Sequence, residues 1–165
     1  MSTEYDDGNG ARVDFETARG RDWPSVRQFN VLMENKVGVL LSLVRRFETT
    51  DIRIISLTCV DSADCAIIRL VLSDPERATE ILKQADLPFT ESDLLVVQLP
   101  YGQQPLLTIC KALLQAEISI HYAYPILVGV NGSSALALHV DDHETAVTTL
   151  RRQGFTLFTE SDFAT

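Results

Sequence analysis

The sequence predicts an α+β protein made of two βαββαβ units in tandem, and three observations carry that expectation. Apolar residues switch between alternation and helical spacing in the order strand, helix, strand, strand, helix, strand, and then do so again. The pentapeptide Phe89-Thr90-Glu91-Ser92-Asp93 recurs as Phe158-Thr159-Glu160-Ser161-Asp162. The openings of two helices also correspond, with Asp74, Glu76, Ala78 and Leu82 falling on Asp142, Glu144, Ala146 and Leu150. Repetition at this length indicates a duplicated small domain rather than a solenoid, whose units are usually shorter. Each unit should form a four-stranded antiparallel sheet with two helices on one face.

The elements follow in order. Residues 1–26 are polar, with little periodicity, and read as a flexible N-terminal arm that Val13, Phe15 or Trp23-Pro24 would pin to the body or to a second subunit. The first unit spans residues 27–93. Its first strand, Arg27 to Glu34, alternates Phe29, Val31 and Met33 with polar neighbours. A helix from Val39 to about Thr49 carries Leu40, Leu43, Val44 and Phe47 at helical spacing. Ile52 to Val60 is β-branched and short, a strand. Asp61-Ser62-Ala63-Asp64 turns the chain into a partner strand with Ala66, Ile68, Leu70 and Leu72 on one face. Asp74 is placed to cap a helix that opens with Pro75, and Leu87 and Phe89 start a last strand. The second unit, residues 94–165, repeats this. Leu94 to Leu99 is a strand. A helix from Leu106 to about Gln115 has Leu106, Ile109, Cys110, Leu113 and Leu114 as its apolar stripe. Ile118, Ile120, Tyr122 and Tyr124 alternate as a strand, Asn131-Gly132 turns into Leu136, Leu138 and Val140, and Gly154 ends the helix begun at Asp142. Apolar residues on both faces of the strands imply that the two sheets pack on each other, and a homodimer would cover more of them.

Composition narrows the function. A net charge of −9 opposes a nucleic-acid backbone or an anionic membrane as partner, since both require a basic face. No apolar run approaches the ~18 residues of a membrane span, and the N-terminus lacks a secretion signal, so a cytoplasmic protein is expected. Cys59, Cys65 and Cys110 have no C-x-x-C spacing and read as buried free thiols rather than a disulfide or zinc site. His121, His139 and His143 near Asp141-Asp142 invite a metal reading, but His139 on a strand and His143 in a helical turn have no reason to converge. No nucleophile elbow or Ser/His/Asp spacing is present, so no catalytic residues, metal or cofactor are expected.

The stretch Glu34-Asn35-Lys36-Val37-Gly38-Val39-Leu40-Leu41 is the best candidate site. Strand passes into helix there within a few residues, which aims unpaired backbone N–H groups and the positive helix end at one spot. Other proteins on this plan are excluded by their own requirements. The turn has no cysteines for metal transfer, the central strands have no aromatic platform for RNA, and Arg45 and Arg46 lie too far along the helix for a phosphate loop.

The same stretch resembles the E-N-[KR]-P-G-x-L loop of ACT domains, regulatory modules of ferredoxin-like fold that bind small molecules, most often amino acids. Asp51-Ile52-Arg53-Ile54 is similar to that family's x-I-N-I strand start. Tyr122-Ala123-Tyr124 resembles the Y-x-Y of small bacterial tandem-ACT proteins, and the chain is more distantly similar to acetolactate synthase regulatory subunits. The resemblance implies a non-catalytic, allosteric amino-acid sensor, or alternatively a subunit that docks on an amino-acid biosynthetic enzyme without a ligand of its own. It implies that Asn35 hydrogen-bonds the ligand, with Lys36 and Val37 in the same binding loop, that the N–H groups of Gly38, Val39 and Leu40 hold its carboxylate, and that Ser56 and Thr58 contribute hydroxyls. Val37 stands where the family has Pro, leaving the loop less rigid. In the second copy Gln104 aligns with Gly38 and no Glu-Asn-Lys precedes it. That copy is either purely structural or supplies Tyr122 and Tyr124 to a pocket shared with the first loop.

Overall fold

A computed structural model describes residues 23–164. Most of the expected arm, Val13 and Phe15 included, lies outside the described residues. Seven strands form one antiparallel sheet. In chain order the elements are β1 (Val26–Glu34), α1 (Val39–Val44), β2 (Ile54–Asp61), β3 (Cys65–Leu72), α2 (Pro75–Gln84), β4 (Phe89–Gln98), α3 (Pro105–Gln115), β5 (Ile120–Pro125), β6 (Ala135–Val140), α4 (His143–Arg152), β7 (Leu157–Phe158) and α5 (Glu160–Phe163). The chain is α+β, a pair of ferredoxin-like units as expected.

There are seven strands because one strand serves both units. The sequence pattern suggests separate strands ending near Asp93 and starting at Leu94, yet β4 runs unbroken through both. Its first part pairs with β1, Val31 to Phe89 through Val26 to Leu94. Its second part pairs with β6 from Leu95 to Gln98, and with β7 at Val96 and Val97. The first unit thus has the order β2-β3-β1-β4 and the second β7-β4-β6-β5. Leu95 and Val97 face α3 and α4, while Leu94 and Val96 face the other way.

Each unit buries its own core under its helices: Phe29, Val31, Leu43, Ile68, Leu70 and Leu82 in the first, and Leu95, Ile109, Leu113, Leu138 and Leu150 in the second. A third core lies on the opposite sheet face and joins the two, Val26, Ile55 and Val71 meeting Tyr124, Ala137, Phe158 and Phe163. The sheet curls far enough that the β2 edge meets the segment after β5, where the N–H of Leu127 donates to the Ile55 carbonyl at 2.9 Å.

Both units carry a β-bulge at the same place, at Ile55 in β2 and at His121 in β5. A bulge moves every later side chain to the other face. Ile54 and Ile120 therefore join the helix-covered cores, whereas Ser56, Tyr122 and Tyr124 turn to the central one.

Several local expectations change. The first helix stops at Val44 and tightens into a 3-10 turn, Arg45–Phe47, instead of continuing to Thr49. In α3 only part of the apolar stripe is buried: Ile109, Ala112 and Leu113 face the core, whereas Leu106 (52%) and Leu114 (74%) are exposed. The three cysteines are free, but Cys59 and Cys110 are exposed and Cys65 half-buried, so they are not the buried thiols expected. The repeated pentapeptide adopts two conformations. In the first copy it is strand, while in the second Thr159 caps α5 through a reciprocal bond with Asp162. Asp74 caps α2 as expected, accepting from the Arg77 N–H at 3.1 Å.

Candidate functional site

Gly38 begins α1 with φ of 85°, a left-handed conformation that L side chains avoid, and this sets the turn after Lys36. The turn forms one wall of a cleft of about 610 Å³ between the end of β1, the start of α1 and the Leu87-Pro88 connection. Glu34, Lys36 and Asp64 supply its charges, Leu32, Met33, Val39 and Leu87 its apolar surface, and Ser42 a hydroxyl. The Lys36 ammonium sits 3.0 Å from the Glu34 carboxylate, both largely in solvent. Both signs of charge beside an apolar wall are what a zwitterion with an apolar side chain can use.

The residues expected to share this site do not all meet there. Lys36, Val37, Gly38 and Val39 line the cleft. Asn35 is turned away: its amide donates to Asp61 at 2.5 Å and to the Ser62 carbonyl at 3.2 Å, which clamps the turn to the β2–β3 hairpin. The Val39 N–H is engaged within the turn, donating to the Lys36 carbonyl at 3.3 Å. Ser56 is fully buried and donates to the Pro125 carbonyl, tying β2 to the chain after β5. Thr58 stands beside Arg69 in the β2–β3 register. Tyr122 and Tyr124 belong to the central core, not to this cleft.

A second cleft of about 320 Å³ occupies the corresponding place in the other unit, between the end of β4, α3 and the α4–β7 connection. Its lining is uncharged, with Gln98, Thr108 and Gln153 beside Leu99, Tyr101 and Phe155. Gln104 is exposed at the start of α3 and its carbonyl accepts from Thr108; its side chain makes no cap.

Between the units lies a polar junction that sequence reasoning missed. Gln28 is fully buried, and its amide donates to Tyr122 Oη and Asn30 Oδ1, both at 2.7 Å, while accepting from Tyr124 Oη at 2.5 Å. Burial and the neighbouring Tyr122 push the Tyr124 hydroxyl far above its ordinary pKa. The Arg69 guanidinium lies 3.9 Å from the centre of the Tyr122 ring. The His139 ring stacks on the same tyrosine at 4.9 Å, with His121 5.4 Å from His139. Desolvation, then His121, Arg69 and His143, lower the His139 pKa, against a smaller opposing effect of Asp93. The available signal was a polar side chain sharing a strand face with apolar ones, Arg69 between Ile67 and Val71 and Gln28 two residues after Val26. His143 and Trp23-Pro24 do meet, His143 Nε2 lying 2.9 Å from the Pro24 carbonyl and Arg151 5.9 Å from the Trp23 ring.

The fold and the clefts define a class: a paired α+β protein with a cleft beside the strand-to-helix turn of each unit. Residues 24–165 match the family of ACT domain pairs, and the chain belongs to it. Its fold is similar to that of protein BT0572 from Bacteroides thetaiotaomicron, with a TM-score of 0.76 and 21% identity over 85% of this chain and 96% of that one. It is also similar to the regulatory subunit of aspartate kinase from Thermus thermophilus, with a TM-score of 0.54 and 11% identity over 77% of this chain and 88% of the other. The subunits of an aspartokinase are a further neighbour, with a TM-score of 0.52, 15% identity, and coverage of 78% and 92%. Among curated protein sequences none matches. As an ACT domain pair the chain has a regulatory role. No helix among the described residues is long and apolar enough to cross a membrane.

Proposed function

We propose that the chain senses a free amino acid, bound in the first-unit cleft beside Gly38, and passes its occupancy on as a regulatory signal without catalysis. The carrying observation is the cleft of about 610 Å³ in which Lys36, Glu34 and Asp64 stand beside Leu32, Met33 and Leu87. Lys36 is placed for the ligand carboxylate, Glu34 and Asp64 for its ammonium group, and the apolar wall for its side chain. Asn35 holds the turn in shape through the hairpin instead of holding the ligand.

The test is thermal denaturation against each of the twenty amino acids. A ligand binding only the native state at 100 times its Kd adds ~2.7 kcal/mol, a clear rise in Tm. Gly38→Val should abolish the rise, while Gln104→Val should leave it in place. No shift with any amino acid at millimolar concentration, or the reverse order of the two variants, would overturn the assignment.

A second reading is favoured by the exposed Leu106, Leu107 and Leu114 of α3: a surface for a second copy or for a biosynthetic enzyme. The likeness to the regulatory subunit of an aspartate kinase supports this at the level of fold. Light scattering of the purified chain, alone and with co-purifying proteins, separates homodimer from enzyme subunit, and a monomer without partners would refute both.

A further inference from the structure

Arg69 is the anomaly of this molecule. It projects from β3 on the face opposite the helices, half-buried, with Asn30 and Thr58 as its register neighbours on the flanking strands. Neither carries a charge. Asn30 is already engaged, donating to Thr90 and Ser92 and accepting from Gln28. The chain has 23 acidic against 14 basic residues, yet among the described residues no carboxylate forms a salt bridge with Arg69. Its Nε is shut off from solvent and has no hydrogen-bond partner. The nearby His139 Nδ1 is also buried and without a partner. Buried polar nitrogens are almost always satisfied, so two orphans in one cluster require an explanation.

The guanidinium is nonetheless fixed. It lies 3.9 Å from the centre of the Tyr122 ring, and the Tyr122 hydroxyl is itself held by Gln28 at 2.7 Å. His139 stacks almost parallel to that ring, at 5°, with His121 next to it and exposed. A planar fork of N–H donors, oriented by an aromatic ring and short of acceptors, is preorganised for an oxyanion. The His139 and His121 rings extend the same cluster beyond Tyr122, and Asp93 is the acidic group that acts on His139.

We propose that Arg69, with the Thr58 hydroxyl and the imidazoles of His121 and His139, forms a second binding site, for the carboxylate or phosphate group of a small molecule. It is built by both units, with Arg69 and Thr58 from the first and Tyr122, His121 and His139 from the second. An oxyanion there is held across their junction and is separate from the Gly38 cleft. Neither site depends on the other.

The experiment follows the Arg69 Nε–H and the ring signals of His121 and His139 by NMR at pH 6.5. The isotope-labelled chain is titrated with sodium phosphate, with sodium acetate, and with sodium chloride at matched ionic strength. Saturating shifts centred on Arg69, Tyr122 and His139, with a Kd in the millimolar range, are expected from at least one of the first two salts, and the tighter one identifies phosphate or carboxylate chemistry. Arg69→Gln should remove saturation, and Arg69→Lys, which keeps the charge but not the fork, should weaken it roughly tenfold. Gly38→Val should leave this titration unchanged, so failure of the amino-acid reading and failure of this one are distinguishable. Shifts that only track ionic strength, or saturation that persists in Arg69→Gln, would overturn the proposal. Should Arg69→Gln fail to fold, Tyr122→Leu unstacks the fork while keeping the arginine, and undiminished affinity there is equally fatal.

Discussion

Replacing Gln28 by Leu should be among the most damaging single changes in the chain, although it substitutes an apolar side chain of similar size. Leu removes both amide functions at a position with no solvent exposure. Tyr124, 7% exposed, loses the acceptor of its hydroxyl and has no water to replace it, which costs about 1–3 kcal/mol. The Tyr122 hydroxyl and the Asn30 carbonyl oxygen are half-buried and lose a donor each; solvent compensates in part, adding roughly 0.5–1 kcal/mol between them. The expected loss is about 2–4 kcal/mol, measured by urea denaturation as a lower midpoint at unchanged slope. At roughly 2–4 °C per kcal/mol for a chain of this size, the melting temperature should fall by about 4–16 °C. The cause can be isolated. In Gln28→Leu combined with Tyr122→Phe and Tyr124→Phe no hydroxyl is stranded, and the triple variant should recover most of the loss despite carrying more substitutions. A single variant costing under about 0.5 kcal/mol, or a triple variant no better than the single, would refute the reasoning.

Three further outcomes are expected. Ser56→Ala removes the bond from the buried Ser56 hydroxyl to the Pro125 carbonyl and should cost about 0.5–1.5 kcal/mol by urea denaturation, with the loss concentrated in protection of amides along β2 and β5 in hydrogen exchange. Gly38→Ala meets nothing within 4 Å, so its cost is the left-handed backbone alone, about 1–2 kcal/mol in thermal unfolding, and Gly38→Asn should cost less. Because His139 titrates lower in the folded chain, the unfolded chain takes up its proton first; stability is complete above about pH 6.5 and declines as pH falls through that value. His139→Gln should therefore lose less stability than the parent between roughly pH 7 and pH 5, and parallel curves would refute the assignment.

Local patterns carried the element order because each strand and helix must hide an apolar face, and that requirement leaves a period. Asp74 and Asp142 as caps were legible for a similar reason, each side chain accepting from the backbone N–H three residues on. What a local pattern does not encode is partnership. Phe89 to Gln98 passes from a polar run, Thr90 to Asp93, into an apolar one, Leu94 to Val97, and nothing in that order says that one strand carries both or that pairing passes from β1 to β6 and β7 along the way. The twin pentapeptides make the point more sharply. Thr90 to Asp93 extend into the strand residues Leu94 to Val97, whereas Thr159 to Asp162 find no such continuation and coil into α5. Bulges are equally silent in sequence. That at His121 moved Tyr122 and Tyr124 off the face of Ile120, and with them the expected pocket shared with the first loop. In the site itself, Gly38 was legible through its conformational freedom. Asn35, read as a ligand contact, is drawn to the Asp61 carboxylate, a neighbour that only the hairpin fold supplies.

The shared strand β4 imposes an arithmetic of its own. Duplicated domains joined by a linker tolerate a linker of almost any length, odd or even. Here Leu94 and Val96 turn to the central core while Leu95 and Val97 turn to α3 and α4, an alternation that passes through the joint without a reset. Losing or gaining one residue at the joint would exchange the two sets and send every later side chain of the strand into the wrong core. Only changes of two residues preserve parity, and those slide one unit along the other by the length of a strand repeat. The joint between the units is therefore a ratchet with discrete steps, and the spacing between the Gly38 cleft and the second unit is fixed by counting residues.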